Sequence, residues 1–361
     1  MNKVLTIVVP SYNVEAYLKD TLNSFVEPEI LEDIEVLVVN DGSKDRTPEI
    51  AESFEKKYPG TFRLISKENG GHGSTINRGI EEASGRYFKV VDGDDWVDTK
   101  DFTRMVRRLK TAESDYVVTN YYKVNDVTKE KTPEEFPYFR EHPKCSFDEA
   151  AGQSEIPMHA LVIRTAILKE NQIRLDERCF YVDNEYITFP IPYVETVEYY
   201  DLFVYMYRLA VATQSVSMKG FQKHLPDHVK VTKRLVDFSE EYTAALKKQL
   251  RVKDTSEEPG RQEGASGGKW LLSKEKARYL RNQAAIMVGD QAGIYASFPL
   301  SNRDIRLQFI AFDQEIKEKS PAIYRLSDGK SRMLHALRKN RFKRYWFWTT
   351  LSKLKLRMRQ S

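Results

Sequence analysis

Three carboxylates fall within four residues, Asp92-Gly93-Asp94-Asp95, directly after the apolar run Tyr87 to Val91. That run reads as a buried strand. A strand interior does not tolerate such acids, because each unpaired carboxylate loses its hydration there. They therefore belong to a tight turn at the strand's C-terminal end. An Asp-x-Asp pair at a strand mouth lets one carboxylate take a hard divalent cation while the other points elsewhere, and the cation can hold a phosphate. Oxygen-only ligands suit Mg²⁺ or Mn²⁺ better than zinc. The same residues also suit a plain Asp-Gly turn with solvated acids, so the rest of the chain has to decide between the two.

Composition sets the outer bounds. The 361 residues suffice for one large or two medium domains with a sizeable core. Apolar residues at 41% and charged residues at 30% describe a soluble globular chain, neither disordered nor membrane-spanning. Cys145 and Cys179 are too few for a disulfide framework and lack metal-type spacing, which fits a reducing compartment. The N-terminus enters a strand without a hydrophobic region of signal-peptide length, so no export is expected. The aromatic-apolar region Tyr193 to Ala212 contains Glu195, Glu198, Asp201 and Arg208, which argues against a bilayer span.

The elements needed to position the acids follow from periodicity. Leu5 to Val9 reads as a strand stopped by Pro10-Ser11-Tyr12-Asn13, and Val14, Leu18, Leu22 and Phe25 make a helical stripe. Ile34 to Val39 is a second strand, ending in Asn40-Asp41-Gly42-Ser43. Thr47-Pro48 starts a helix with Pro at its first position. Phe62 to Ser66 is a third strand, followed by a Gly-rich loop and a helix through Ile76, Ile80 and Ala83. The strand before the carboxylates is the fourth, a helix begins after Thr99, and Asp115 to Thr119 makes a fifth strand. This alternation indicates a parallel α/β sheet. In such sheets ligands gather beyond the carboxyl ends of the strands. Pro10 to Asn13, Asn40 to Ser43, Asn69 to Ser74 and Asp92 to Asp95 all lie at such ends, so four separate loops converge on one crevice. The loop Gly70-Gly71-His72-Gly73 is neither a P-loop nor a dinucleotide fingerprint. It suits either a plain turn or a close approach of backbone to ligand at a helix N-terminus.

Taken together, residues 4 to about 217 resemble the family 2 glycosyltransferases, inverting enzymes with the nucleotide-binding GT-A fold. The matching pieces are Val8-Val9-Pro10-Ser11-Tyr12-Asn13, Val38-Val39-Asn40-Asp41-Gly42-Ser43 with Asp45 and Thr47, Asn69-Gly70-Gly71 with Asn77 and Gly79, and Asp92-Gly93-Asp94-Asp95. The resemblance implies that Pro10, Tyr12, Asn13 and Asp41 hold the nucleotide base, with Asn69 and Gly70 beside them. It also implies that Asp92 meets the ribose, and that Asp94, with Asp92 beside it, holds Mn²⁺ or Mg²⁺ on the diphosphate. A metal there neutralises the diphosphate and stabilises the leaving nucleotide. Inverting transfer needs a general base for the acceptor hydroxyl. In Tyr181-Val182-Asp183-Asn184-Glu185, Asp183 falls where the family's aspartate sits and Val182 replaces the usual acidic neighbour. Glu185 is the alternative base, and a plain helix cap is the alternative role for Asp183.

Val204 to Tyr207 reads as a further strand. Arg208 with Gln214-Ser215-Val216-Ser217 resembles the closing segment of nonprocessive members, where Arg208 is placed for a phosphate contact or a surface ion pair. The processive Gln-x-x-Arg-Trp motif is absent, which favours one sugar per encounter. The expected organisation is a GT-A catalytic domain over 1–219, a helical accessory region over 220–336 with a mobile polar loop at 253–268, and a basic aromatic tail over 337–361. His224 and His228, four apart without a third ligand nearby, read as a solvated helix face. From Leu337 onward there are nine Lys/Arg and no acids, interleaved with Phe342, Tyr345, Trp346, Phe347 and Trp348. This pattern reads as an interfacial amphipathic helix on an anionic membrane surface. Nucleic-acid binding and packing on the protein's own surface are its rivals. The expectation is a peripheral enzyme on the inner face of the plasma membrane, moving a sugar from a nucleotide donor, UDP-linked by preference, to a glycan or lipid-linked saccharide. A sugar-nucleotidyltransferase and a degenerate nucleotide-sugar or membrane-binding module are the alternatives. The first would carry a Gly-rich, Arg/Lys-bearing loop after the first strand, where this chain has Pro10 to Asn13.

Overall fold

β1 (Leu5–Ser11) is buried at every position, as expected of a parallel strand covered on both faces. In the computed structural model, which describes residues 3–209, 218–254, 269–299 and 301–351, it lies in the middle of a ten-stranded mixed sheet. β2 (Ile34–Asn40), β3 (Phe62–Ser66) and β4 (Tyr87–Val90) join it in parallel, in the order β3-β2-β1-β4. All four stand within two residues of their expected limits. Beyond β4 the sheet takes in antiparallel strands, in keeping with the mostly parallel sheet expected of a GT-A fold. β9 (Leu161–Arg164) runs antiparallel to both β4 and β6 (Tyr116–Asn125), and β6 then pairs in parallel with β10 (Thr196–Leu209). The edges are completed by β5 (Trp96–Val97) and β8 (Lys144–Ser146) on β10, and by β7 (Lys131–Glu134) on β6. β6 and β10 are longer than their apolar runs suggested, each continuing through polar and half-buried positions.

Helices α1 (Leu18–Asn23), α2 (Thr47–Lys57), α3 (His72–Glu82) and α4 (Thr99–Leu109) alternate with the first strands. α1 starts later than its apolar stripe. The Val14 N–H donates to Thr47 Oγ1 (2.9 Å) and the Glu15 N–H to Asp45 Oδ2 (3.0 Å), so these donors serve the neighbouring loop instead of a helix. α2 places Pro48 at its second position, and Asp45 Oδ1 takes the Thr47 N–H. Gly79 in α3 has a physical requirement behind it: a Cβ there would lie 2.3 Å from Val8 Cγ2 of β1.

The described residues fall into two compact units, the first of 3–209 with 269–271, the second of 218–254 with 272–351. Within the first, the Trp270 indole N–H donates to Tyr193 Oη (2.9 Å) and the Leu271 N–H to Pro192 O (2.7 Å). The second is helical, with long helices at Leu225–Asp254, Lys274–Ser297 and Asp304–Lys319 followed by Pro321–Ser327 and Arg332–Lys339. His224 and His228 are not on a solvated face. His228 is buried, and its Nδ1 lies 2.8 Å from Gln291 Nε2, while His224 Nδ1 lies 3.2 Å from Asp227 Oδ2. The basic tail is partly an internal element. Arg338 has a side chain 6% exposed, donates to Asp313 and Asp328, and lies over the Tyr324 ring at 3.7 Å. Phe342 and Tyr345 are buried as well. Most of the segment 253–268, the motif Gln214 to Ser217, and residues 352–361 of the tail lie outside the described residues.

Candidate active site

The four polar loops meet at the carboxyl ends of β1–β4, and their own hydrogen bonds lock them together. Asn13, with φ 53°, receives the Lys44 N–H on Oδ1 (2.8 Å) and donates its own N–H to Ser43 Oγ (3.0 Å). Asn40 Oδ1 takes the Ser43 N–H at 3.0 Å. Between these loops and the end of β3 lies a cavity of about 580 Å³ lined by Tyr12, Asn40, Gly42, Lys44, Lys67 and Asn69 among others. Tyr12 stands half out of it, 51% exposed. A cavity of similar size, about 520 Å³, lies near Arg86, Glu113 and Arg164. It sits at the amino end of β4, away from the carboxylates, and ligands of such sheets gather at the opposite ends.

Asp41 is almost wholly buried and organises the Gly-rich loop rather than facing solvent. Its carboxylate receives the Gly70 N–H (2.9 Å), the Gly71 N–H (2.8 Å) and Lys67 Nζ (2.8 Å), and its carbonyl receives Asn69 Nδ2 (3.0 Å). Pro10 contributes backbone: its carbonyl takes the Gly93 N–H at 3.1 Å. A Cβ on Gly93 would stand 2.9 Å from that same oxygen, so only glycine lets the carboxylate turn lie against β1.

The three acids of the turn take three different roles. Asp95 is buried and structural, accepting from Tyr205 Oη (2.6 Å) and the Arg208 N–H (2.7 Å) of β10. Burial and the neighbouring Asp94 and Asp92 charges push its carboxyl well up. Asp92 Oδ1 lies 2.8 Å from His72 Nε2. Burial alone would raise the Asp92 carboxyl, but the imidazolium charge and hydrogen bond of His72 outweigh it and hold the group low. His72 is raised in turn: burial opposes its charge, and Asp92, then Asp183 and Asp94, overcome that. Asp94 is half-buried and pushed up to about 6, first by burial and then by the Asp92 charge.

Arg208 lies under the carboxylate turn. Its side chain is buried between the Tyr17 and Trp96 rings, 4.7 and 4.5 Å away. Its Nε donates to the Asp94 carbonyl (2.6 Å) and its Nη1 to Asp126 (2.6 Å), so it fixes the backbone that carries Asp94. Asp183 opens the short helix Asp183–Thr188 as its first residue; the cap residue is Val182, without a side-chain cap bond. The expected alternative of a capping aspartate therefore does not apply. Burial raises the Asp183 carboxyl, with His72 opposing and Asp92 adding, which places all three in one electrostatic cluster. Glu185 is fully buried and accepts the Asp176 N–H at 2.7 Å. It supports the strap of residues 174–182 that lies over the Gly-rich loop.

That strap is held at several points. Asn77 receives the Leu175 N–H (2.9 Å) and donates to the Leu175 carbonyl (2.9 Å), and the Arg178 N–H donates to Gly70 O (2.5 Å). His72 is the functional neighbour that sequence reasoning passed over. It was visible only as one member of a Gly-rich loop, and no local spacing ties it to a carboxylate twenty residues on.

The chemistry of this donor set fits a hard cation. Burial and the neighbouring Asp92 charge raise the Asp94 carboxyl to about 6, a repulsion that a cation beside the two carboxylates would relieve. No three His, Cys, Asp or Glu side chains among the described residues form a ready cage. Mg²⁺ and Mn²⁺ do not require one, since one or two carboxylates with water and phosphate oxygens suffice.

Residues 6–170 match the sequence family described as Glycosyl transferase family 2. The uncharacterized glycosyltransferase EpsJ of Bacillus subtilis (strain 168) is 39% identical over 123 residues, 34% of this chain and 35% of that protein. The minor teichoic acid biosynthesis protein GgaB of the same organism is 35% identical over 106 residues, 29% of this chain and 12% of that protein. The chain thus matches about a third or less of the length of these relatives. Residues 1–349 of TarS from S. aureus, solved in complex with UDP-GlcNAc, superpose with a TM-score of 0.60 at 17% identity, covering 98% of this chain and 92% of that one. At that identity the likeness establishes the fold, a GT-A-like mixed and mostly parallel sheet followed by a helical region. Residues 6–170, a little under half of the chain, thus carry the likeness to the family 2 glycosyltransferases.

Proposed function

We propose that the protein is an inverting, nonprocessive glycosyltransferase that moves a sugar from a nucleotide donor, UDP-linked, onto a glycan or lipid-linked saccharide in cell-envelope polysaccharide synthesis. The observation that carries this reading is the convergence at the carboxyl ends of β1–β4 of the loops that line a cavity of about 580 Å³ and the turn that carries Asp92 and Asp94, with Asp183 in the same electrostatic cluster as Asp92 and His72. UDP-GlcNAc bound to TarS and the teichoic acid role of GgaB support the donor and the pathway class.

In this reading the base enters the cavity beside Tyr12, and Asp92, oriented by His72, meets the ribose. Asp94 and Asp92 are the residues placed to hold Mg²⁺ or Mn²⁺, which when bound neutralises the diphosphate of the leaving nucleotide. Asp183 takes the proton of the acceptor hydroxyl as that oxygen attacks the anomeric carbon from behind. The new C–O bond forms as the bond to the diphosphate breaks, and the nucleoside diphosphate departs. A raised carboxyl pKa makes Asp183 a better proton acceptor than a solvated aspartate. The test is calorimetric titration of UDP, GDP, CDP and dTDP with Mg²⁺, Mn²⁺ or EDTA, repeated on Asp94→Ala. One nucleotide that binds only with metal, and is lost in the variant, is the expected result. No binding of any nucleotide would overturn the reading.

We further propose that the tail docks on anionic lipid. Phe347 is 60% exposed, Trp346 and Trp348 are half-buried, and Arg341, Lys343 and Arg344 are exposed. No helix among the described residues is long and apolar enough to cross a membrane. Sedimentation with phosphatidylglycerol vesicles should capture the chain, and deletion of 341–361 should release it. Continued capture would place the contact elsewhere.

A further inference from the structure

The sheet order gives the carboxylate turn two sides. The cavity beside Tyr12 lies over β1, β2 and β3, on one side of β4. On the other side, over β9, β6 and β10, stands a cluster of rings that the mechanism above does not use. His159 lies between Tyr121 of β6 (centroids 5.3 Å apart, planes at 24°) and Tyr207 of β10 (4.2 Å, 31°), with Tyr205 edge-on at 5.0 Å. The turn Met158–Ala160 that carries His159 packs against the helix headed by Asp183. The Tyr207 hydroxyl lies in the electrostatic field of Asp92, Asp94, Asp95 and Asp183. This cluster therefore borders the reacting groups on the side opposite the nucleotide.

The position of His159 is enforced from below. Lys89 of β4, with no exposed surface, donates from Nζ to the His159 carbonyl (2.8 Å) and the Leu161 carbonyl (3.2 Å). A fully buried lysine directed at two carbonyls, without a carboxylate partner among the described residues, is a costly device, and its effect here is to fix this turn. Nδ1 of His159 is buried and has no hydrogen-bond partner among the described residues. The ring as a whole is only half-buried, which leaves Nε2 as the nitrogen that can meet a ligand. Burial holds the imidazole neutral, with its pKa lowered to about 4.

We propose that His159 and Tyr207 recognise the acceptor saccharide, with Tyr207 offering a ring face to the apolar C–H face of a pyranoside and His159 Nε2 bonding one of its hydroxyls. The negative face of an aromatic ring attracts such C–H groups, and a neutral imidazole nitrogen can serve a hydroxyl as donor or acceptor. Lys89 and Tyr121 are positioning residues for His159. This inference rests on the transferase reading and assigns the residues of its second substrate.

The test uses the full chain with UDP and Mg²⁺, and the methyl β-pyranosides of glucose, galactose, N-acetylglucosamine and N-acetylmannosamine as probes. Saturation-transfer NMR should show at least one probe engaged through its ring C–H protons. His159→Phe, which keeps the stack, should weaken that probe about three- to tenfold, the worth of one neutral hydrogen bond. Tyr207→Leu should remove the saturation pattern. UDP titration runs beside each measurement. If the parent chain binds no UDP, the transferase reading fails. If UDP binds while no pyranoside is engaged, or while both variants engage it like the parent, the assignment of His159 and Tyr207 fails.

Discussion

Replacing Lys89 with Met should alter how stability depends on pH more than it alters stability at any single pH. Burial lowers the Lys89 ammonium from its ordinary 10.5 to about 7. The unfolded chain therefore holds this proton up to about pH 10.5, whereas the folded chain releases it near 7. Between those values the unfolded state binds one more proton, and parent stability rises with pH by up to about 1.4 kcal/mol per unit, to a ceiling of about 5 kcal/mol. Below pH 7 both states are charged and the full penalty is present; above 10.5 neither is charged and it is gone. Met carries no proton but leaves the His159 and Leu161 carbonyls without Nζ, at about 1–3 kcal/mol for each group left unsatisfied. Near pH 7 these effects offset each other, and at pH 10 the variant should be clearly the less stable. Urea unfolding of both proteins at pH 7, 8, 9 and 10 gives the difference directly. A difference flat to within about 1 kcal/mol across that range would show that Lys89 stays charged in the fold, and would refute the reasoning.

Further outcomes follow from individual contacts. In Gly73→Ala the new Cβ would stand 2.1 Å from the Asp176 carbonyl. Overpacking of this kind costs about 1–3 kcal/mol; the strap leading to Asp183 would shift, so calorimetry should show the lower melting temperature and kinetics a larger loss in kcat than in UDP affinity. Asp183→Asn should lower transfer by about a hundred- to ten-thousandfold with UDP binding retained. Glu185→Gln, which keeps an acceptor for the Asp176 N–H, should lower transfer far less; equal losses in a kinetic comparison would exclude Asp183 as the sole base. Arg338→Ala should destabilise the helical unit by about 3–5 kcal/mol, because it leaves Asp313 buried and unpaired. Circular dichroism melts would detect that loss, and an unchanged melt would place Asp313 in contact with water.

The central strands and the convergence of four loops were legible in the chain itself. β1–β4 are short apolar runs stopped by polar turns, and a strand's burial pattern is a local property that shows in its own residues. The density of acids after β4 likewise forced a turn, whatever the rest of the chain did. The roles of those acids were decided by partners distant in sequence. Asp95 became structural because Tyr205, 110 residues away, places its hydroxyl on it. Asp92 acquired His72, and Arg208 was drawn under the turn between Tyr17 and Trp96. Glu185 and His228 turned inward for the same reason: each found a buried polar partner, at Asp176 and Gln291, that sequence spacing does not reveal. β9 entered antiparallel between β4 and β6, carrying His159 to the carboxylates by a path that no periodicity encodes. Periodicity records which face of an element is buried, so it settled where the crevice lies. Hydrogen-bond partners and charges across the crevice depend on the course of the chain in space, so only the tertiary structure decided which residues could act there.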